Sequence, residues 1–215
     1  MIIVLMGAPG AGKGTQADLL SERAGYRKIS TGDALRKHVK LGTKVGKLAG
    51  EIMARGELVP DNVLLDVLKE EIGPKSNDVI ILDGYPRNLA QAETLMKVVE
   101  ADHPVRGCVH LDVSRSNLIA RLSGRRVCSG CGSSFHVSGN PPKKDGLCDK
   151  CGGSLYQRPD DDAKSISVRL DVYDSSTKAV LDYYQKRGNY CKVNGEGVTD
   201  EIFKELTDAI STCLN

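Results

Sequence analysis

The chain has 215 residues, 40% hydrophobic and 27% charged, and 30 basic against 28 acidic side chains give a net charge of +2. That length supports one packed domain with insertions, while the near balance of charge removes bulk basicity as an argument for nucleic-acid binding. No run of 18 apolar residues is present, and the N-terminus enters an apolar segment without a basic flank or small-residue cleavage site, so neither a membrane helix nor a signal peptide is expected. Seven cysteines, several in Cys-x-x-Cys pairs, fit metal better than disulfides and point to a cytoplasmic protein.

The first element is the strand IIVLM (2–6), followed by GAPGAGKGT (7–15) and a helix starting near Lys13. Strand, glycine-rich turn and helix are the setting of a phosphate cradle, in which backbone N–H groups and the helix N-terminus attract the anion. Gly7, Gly12 and Lys13 match G-x-x-x-x-G-K-[ST], but Gly14 follows and the hydroxyl arrives one place late, at Thr15. A plain strand–turn–helix would use the same glycines; Lys13, in register, favours the cradle.

RKIS (27–30) is a weak strand, and residues 30–59 read as an inserted polar, helical lobe. VIILD (79–83) is a strand whose last residue, Asp83, sits where ligands of open α/β sheets gather. A carboxylate there orients Mg2+ through water or caps a turn, and Arg87 follows in DGYPR. CVHLD (108–112) and YCKV (190–193) complete the strands. Helical spacing puts Leu170, Tyr173, Thr177, Val180, Leu181 and Tyr184 on one face, and Val198, Ile202, Leu206, Ala209 and Cys213 on another. Strands alternating with helices predict an α/β fold of P-loop NTPase type, a parallel sheet flanked by helices.

Residues 124–161 are rich in Gly, Cys, Pro and Lys and short of core. Cys128, Cys131, Cys148 and Cys151 read CSGC…CDKC, the spacing of a zinc ribbon. Four thiolates close a tetrahedron, so the predicted zinc is structural, and its binding, worth on the order of 10 kcal/mol, replaces the missing core. A redox dithiol or free thiols are the alternatives. With 4% aromatics for base stacking, the segment reads as a flap rather than a nucleic-acid module. Cys108, Cys191 and Cys213 read as buried small hydrophobes.

GAPGAGKGT, ISTGDALR (29–36), GELVPD (56–61), DGYPRNLAQAE (83–93), GRRVC (124–128) and QRPDDD (157–162) together resemble the adenylate kinases, in the long bacterial form with a zinc-bearing lid. The resemblance implies a core of residues 1–29, 60–123 and 162–215, an AMP-binding lobe at 30–59 and a lid at 124–161. It implies ATP contacts from Gly10, Ala11, Gly12, Lys13, Gly14, Thr15, Arg121, Arg125, Ser134, Phe135 and the backbone near Gly197. AMP contacts would come from Thr31, Arg36, Glu57, Leu58, Val59, Gly84, Tyr85, Pro86, Arg87 and Gln91, with Arg158 and Arg169 closing on the phosphates. Glu57 to Val59 would act mainly through backbone, and Gln91 would present an amide to adenine. Thr31 could instead cap a helix, Gln91 and Arg121 could be solvated, and Asp160 to Asp162 could be a helix-start cluster rather than part of lid closure. In that family Gly-Lys-Gly-Thr is the normal register of the loop. Tyr85, Asn88 and Pro159 depart from common family residues; Pro159 would stiffen the lid hinge.

The implied reaction is MgATP + AMP ⇌ MgADP + ADP, within adenine nucleotide homeostasis, by a monomer that binds neither nucleic acid nor membrane. An AMP phosphate, with a second pKa of about 6, is already ionised at neutral pH and needs no general base; the four His residues (38, 103, 110 and 136) lie outside the phosphate motifs. The catalytic set expected is Lys13, Arg87, Arg125, Arg158 and Arg169, with Arg36 and Mg2+. A kinase for UMP or CMP is the nearest rival, and a non-catalytic binding module the more distant one.

Overall fold

The computed structural model describes residues 1–214. Eight strands form among them: β1 (Ile2–Met6), β2 (Arg27–Ser30), β3 (Ile80–Asp83), β4 (Val105–Asp112), β5 (Arg125–Cys128), β6 (Ser134–His136), β7 (Leu155–Tyr156) and β8 (Tyr190–Asn194). The α-helices are α1 (Lys13–Ala24), α2 (Thr31–Lys40), α3 (Lys44–Ala54), α4 (Asp61–Ile72), α5 (Leu89–Val99), α6 (Arg115–Ser123), α7 (Ala163–Val172), α8 (Lys178–Lys186) and α9 (Thr199–Leu214).

Five strands make a wholly parallel sheet in the order β2-β3-β1-β4-β8. Because successive strand residues point to opposite faces, β1 feeds two cores. Ile2, Val4 and Met6 pack with α2, α4, α5 and α8, and Ile3 and Leu5 pack with α1, α6, α7 and α9. A strand covered on both sides must be apolar at every position, which is why IIVLM reads as a continuous run. The chain leaves β1 toward β2 on one side and β3 toward β4 on the other. The topological switch therefore falls at the C-terminal ends of β1, β3 and β4, where open α/β sheets bind ligands.

All five sheet strands fall where the sequence places them, with β4 three residues longer at its start. The helix read across 170–184 is broken by a π-helical segment, Tyr173–Thr177, although its six named residues are all buried. The α9 face needs a correction: Val198 precedes the helix and is 62% exposed, while Ile202, Leu206 and Ile210 carry the contact. Ile210 keeps the four-residue step on the buried stripe, and Ala209 and Cys213 lie at its margin.

β5, β6 and β7 form a separate antiparallel sheet with β5 central. Its apolar cluster is Cys128, Phe135 and Cys148, with Leu155 packed against it. Burying so few side chains, at about 1.5–3 kcal/mol each, does not offset ordering a segment of this length.

Candidate active site

The phosphate loop leaves β1 with Gly10 and Gly12 at φ of 88° and 95°, a region other residues enter only with strain. Gly12 caps α1 without any side-chain bond, so the first N–H groups of the helix face the cleft, as an anion site requires. Lys13 is folded back over the loop, donating from Nζ to the carbonyls of Gly7 (2.8 Å) and Ala8 (3.2 Å). Burial, partly offset by Asp83 and reinforced by Arg87, Arg169 and Arg125, brings its ammonium down to about 8. A Cβ at Gly14 would lie 3.9 Å from Asp83 Oδ2, whereas Thr15 is exposed on the cleft wall. Position 14 thus faces the β3 carboxylate, and the hydroxyl one residue later is the one left free.

A cleft of about 830 Å3 spreads from this loop. Arg36 from α2, Arg87 after β3, Arg125 from β5, Arg158 before α7 and Arg169 on α7 all line it. Asp161, with a side chain 0% exposed, orders two of them. It accepts from Arg125 Nε (2.8 Å) and Nη2 (2.5 Å) and from Arg169 Nη1 (3.0 Å). Asp160 adds a 3.0 Å pair to Arg169, and Asp33 accepts from Arg36 Nη2 at 2.5 Å. Arg87 and Arg158 are held more loosely. Arg87 donates only Nε to the Gly84 carbonyl, at 2.8 Å; Arg158 Nε is buried with no hydrogen-bond partner among the described residues, and the nearest carboxylate to this side chain is 3.9 Å away. Burial and neighbouring guanidinium groups pull both down to about 10, with Asp83 opposing at Arg87 and Asp33 and Asp160 at Arg158. Both stay cationic at neutral pH.

The four sulfurs of Cys128, Cys131, Cys148 and Cys151 lie within 4.8 Å of one another. Backbone N–H groups of Gly130 and Cys131 point at Cys128 Sγ, and that of Lys150 points at Cys148 Sγ. Converging thiols that already accept N–H bonds are suited to the thiolate form, and four of them fit a closed tetrahedral metal site.

A family model described as "Adenylate kinase" matches residues 5–189. The chain belongs to the adenylate kinase family. It is 47% identical over 212 residues to the adenylate kinase of Methanocella arvoryzae, covering 98% of each chain. It is 47% identical over 209 residues to that of Syntrophobacter fumaroxidans (96% of this chain, 98% of the relative). With that of Thermodesulfovibrio yellowstonii it shares 49% over 210 residues (96% and 97%). It is therefore a nucleoside monophosphate kinase, a phosphotransferase passing a phosphoryl group from ATP to AMP.

Most residues assigned from the adenylate kinase resemblance do converge on the cleft. Gly10, Ala11, Gly12, Lys13, Gly14, Thr15, Arg121, Ser134, Phe135 and Gly197 line it, as do Leu58, Gly84, Pro86 and the five arginines. Thr31, Val59, Tyr85 and Gln91 are buried and do not line it, and neither does Glu57. Thr31 does not cap α2, since Ser30 does; its hydroxyl donates to the Gly84 carbonyl at 3.0 Å. Glu57 is exposed and paired with Arg55. Gln91, 1% exposed, is neither solvated nor free: its Oε1 accepts from the Arg87 N–H (2.7 Å) and its Nε2 donates to Asp61 (2.5 Å). Arg121 donates to the carbonyls of Gly195 (3.0 Å) and Ala11 (3.4 Å). His136, set aside in the sequence reading, lines the cleft, with Nδ1 accepting from Gly139 N–H at 2.9 Å. Thr177, read as a packing residue, also lines it and donates to the Arg87 carbonyl at 2.8 Å. A hydroxyl on an otherwise apolar helix face was the available signal.

Proposed function

We propose that the cleft holds ATP against the phosphate loop and AMP against the Gly84–Arg87 turn, and that the guanidinium groups between them neutralise the phosphoryl group in flight. The observation that carries this reading is the convergence of Arg36, Arg87, Arg125, Arg158, Arg169 and Lys13 on one cleft beside an uncapped helix N-terminus. Phosphoryl transfer asks chiefly for in-line positioning and charge neutralisation, and planar, bidentate arginine suits both. On this reading Lys13 leaves the Gly7 and Ala8 carbonyls for the phosphates. Ser134, Phe135, Arg121 and the Gly197 backbone form the ATP base side, while Thr31, Glu57, Leu58, Val59, Tyr85 and Gln91 shape the AMP side.

Mg2+ accompanies ATP in this family; Thr15 and, through water, Asp83 are the residues placed to orient it. When bound it offsets charge on the phosphates. The cysteine knot holds a structural zinc that organises residues 124–161 as a lid, with residues 30–59 as the AMP lobe. The lid already reaches α1, where Lys150 and Glu22 pair at 2.5 Å. Closure keeps water from the transferring group. No helix among the described residues is long and apolar enough to cross a membrane; on this reading the enzyme works as a cytoplasmic monomer.

The test is initial turnover with MgATP and each of AMP, CMP, UMP and GMP. AMP should be preferred at least tenfold in kcat/KM; equal or faster use of UMP or CMP refutes the assignment of the acceptor.

A further inference from the structure

The last turn of α9 rests against the sheet where a side chain is missing. Gly107 of β4 faces the core beneath α9, and a Cβ there would lie 2.4 Å from Cys213 Sγ. The glycine thus seats this sulfur, and it does so 3.7 Å from the Sγ of Cys191 on edge strand β8. Cys191 pairs in register with Val109, on the same sheet face as Gly107. Both cysteines are half-buried at the margin of that core. Cys108, although next to Gly107 in sequence, points through the sheet into the opposite core and is 0% exposed. Side-chain alternation therefore keeps it from the pair. Neither Cys191 nor Cys213 lines the nucleotide cleft, and the four lid cysteines form a separate cluster of their own.

We propose that Cys191 and Cys213 form a dithiol modification site that closes to a disulfide when the chain meets a hydroperoxide, tying the C-terminal helix to the edge strand. Cys191 sulfur takes one peroxide oxygen as a sulfenic acid, releasing an alcohol. Cys213 sulfur then attacks the Cys191 sulfur; the S–S bond forms, and the displaced hydroxyl leaves as water with the Cys213 proton. Two thiols lose two electrons, and the hydroperoxide is reduced to alcohol and water. Contact must shorten to a bond of about 2.05 Å, a shift within reach of a rotamer change at the end of a terminal helix. Burial and the adjacent Cys191 push the Cys213 thiol up to about 12, which makes the closure slow.

The experiment treats the full-length, zinc-loaded protein with equimolar cumene hydroperoxide, then maps peptides without reduction. A Cys191–Cys213 cross-linked peptide is expected, with the mass of two hydrogens lost and restored by dithiothreitol. A rise in Tm of roughly 5–10 °C should accompany it, from constraining the unfolded chain between the two residues. Cys191→Ser and Cys213→Ser should each abolish the cross-link and the Tm rise while keeping full turnover. A cross-link through Cys108 or a lid cysteine instead, or sulfinic acid at either residue without a cross-link, overturns the proposal; the peptide map of the unaltered chain decides this whether or not a variant folds.

Discussion

Replacing Asp161 with asparagine perturbs the cleft at the point where two of its arginines meet. The carboxylate is fully buried and accepts three hydrogen bonds, two from Arg125 and one from Arg169. An amide of the same shape can leave its oxygen at the Oδ1 site, which serves Arg125 Nη2 and Arg169 Nη1. Its NH2 group then faces Arg125 Nε, donor against donor, and the negative charge is gone. Hydrogen bonds to charged groups contribute about 1.5–3 kcal/mol each, and removing one partner of a buried ion pair costs about 3–5 kcal/mol. Because the amide keeps part of the network, about 3 kcal/mol is the expected loss. If that energy serves to hold the guanidinium groups where charge develops, it appears in the rate, at 1.36 kcal/mol per tenfold. Initial rates with saturating MgATP and AMP should show kcat down by about a hundredfold, with each KM changed less than about fivefold. A melt of the nucleotide-free protein should show a lower Tm, at about 2–4 °C per kcal/mol for a chain of this size. Asp161→Glu, which retains the charge at the wrong length, should recover part of the rate. A kcat within threefold of the unaltered enzyme would refute the reasoning, because the arginines would then be placed without this carboxylate.

Lys13→Ala should leave the far-ultraviolet circular dichroism unchanged and remove turnover by at least a hundredfold; substantial residual activity contradicts the phosphate-loop assignment. Lys13 also sets a proton linkage: its folded pKa of about 8 lies below the ordinary lysine value of 10.5, so between these values the unfolded chain binds the extra proton and stability rises with pH. Below about pH 8 the amine is charged in both states and the burial penalty is complete. Phosphate binding should reverse the shift, so ATP titrations near pH 9 in buffers of different ionisation enthalpy should show proton uptake, absent in Lys13→Met. Chelation of bound metal, or Cys148→Ser, should lower Tm by several degrees while leaving most turnover at moderate temperature; elemental analysis finding no metal in native protein would remove the structural-zinc reading.

The sheet was legible because each parallel strand must be apolar on both faces and is bounded by turn residues, and even the short RKIS segment forms its edge strand. The cysteine knot was legible because ligand spacing survives any loop conformation. The π-helical segment Tyr173–Thr177 was not, since its apolar positions keep helical spacing on either side of the insertion. Gln91 shows a different limit. Its match to the family motif marks it for adenine, but its bonds to Asp61 and to the Arg87 N–H, which hold the amide in place, were not readable, because a partner distant in sequence leaves no local trace. β6 and β7 of the small sheet were equally hidden, because two- and three-residue strands have no period to read.

Lys13 and the five arginines mark this cleft in the sequence, but carboxylates decide what each can do. Asp161, Asp160 and Asp33 pin Arg125, Arg169 and Arg36 before any nucleotide arrives. Those three are preorganised: their entropy of placement is spent in folding, and they offer a fixed field to developing charge. Arg87 holds one backbone carbonyl and Arg158 carries an unpartnered Nε, so neither must break a strong ion pair to meet a phosphate. Lys13 lies between these cases, bonded to neutral carbonyls that a phosphate outcompetes. In the proposed mechanism, the pinned arginines define where the transferring group passes, and Arg87, Arg158 and Lys13 adjust to it. This division predicts an asymmetry among lysine replacements. At Arg125 lysine forfeits the forked contact with Asp161, and at Arg169 it forfeits the Nη1 that joins Asp160 to Asp161, whereas at Arg158 it keeps the charge and loses less.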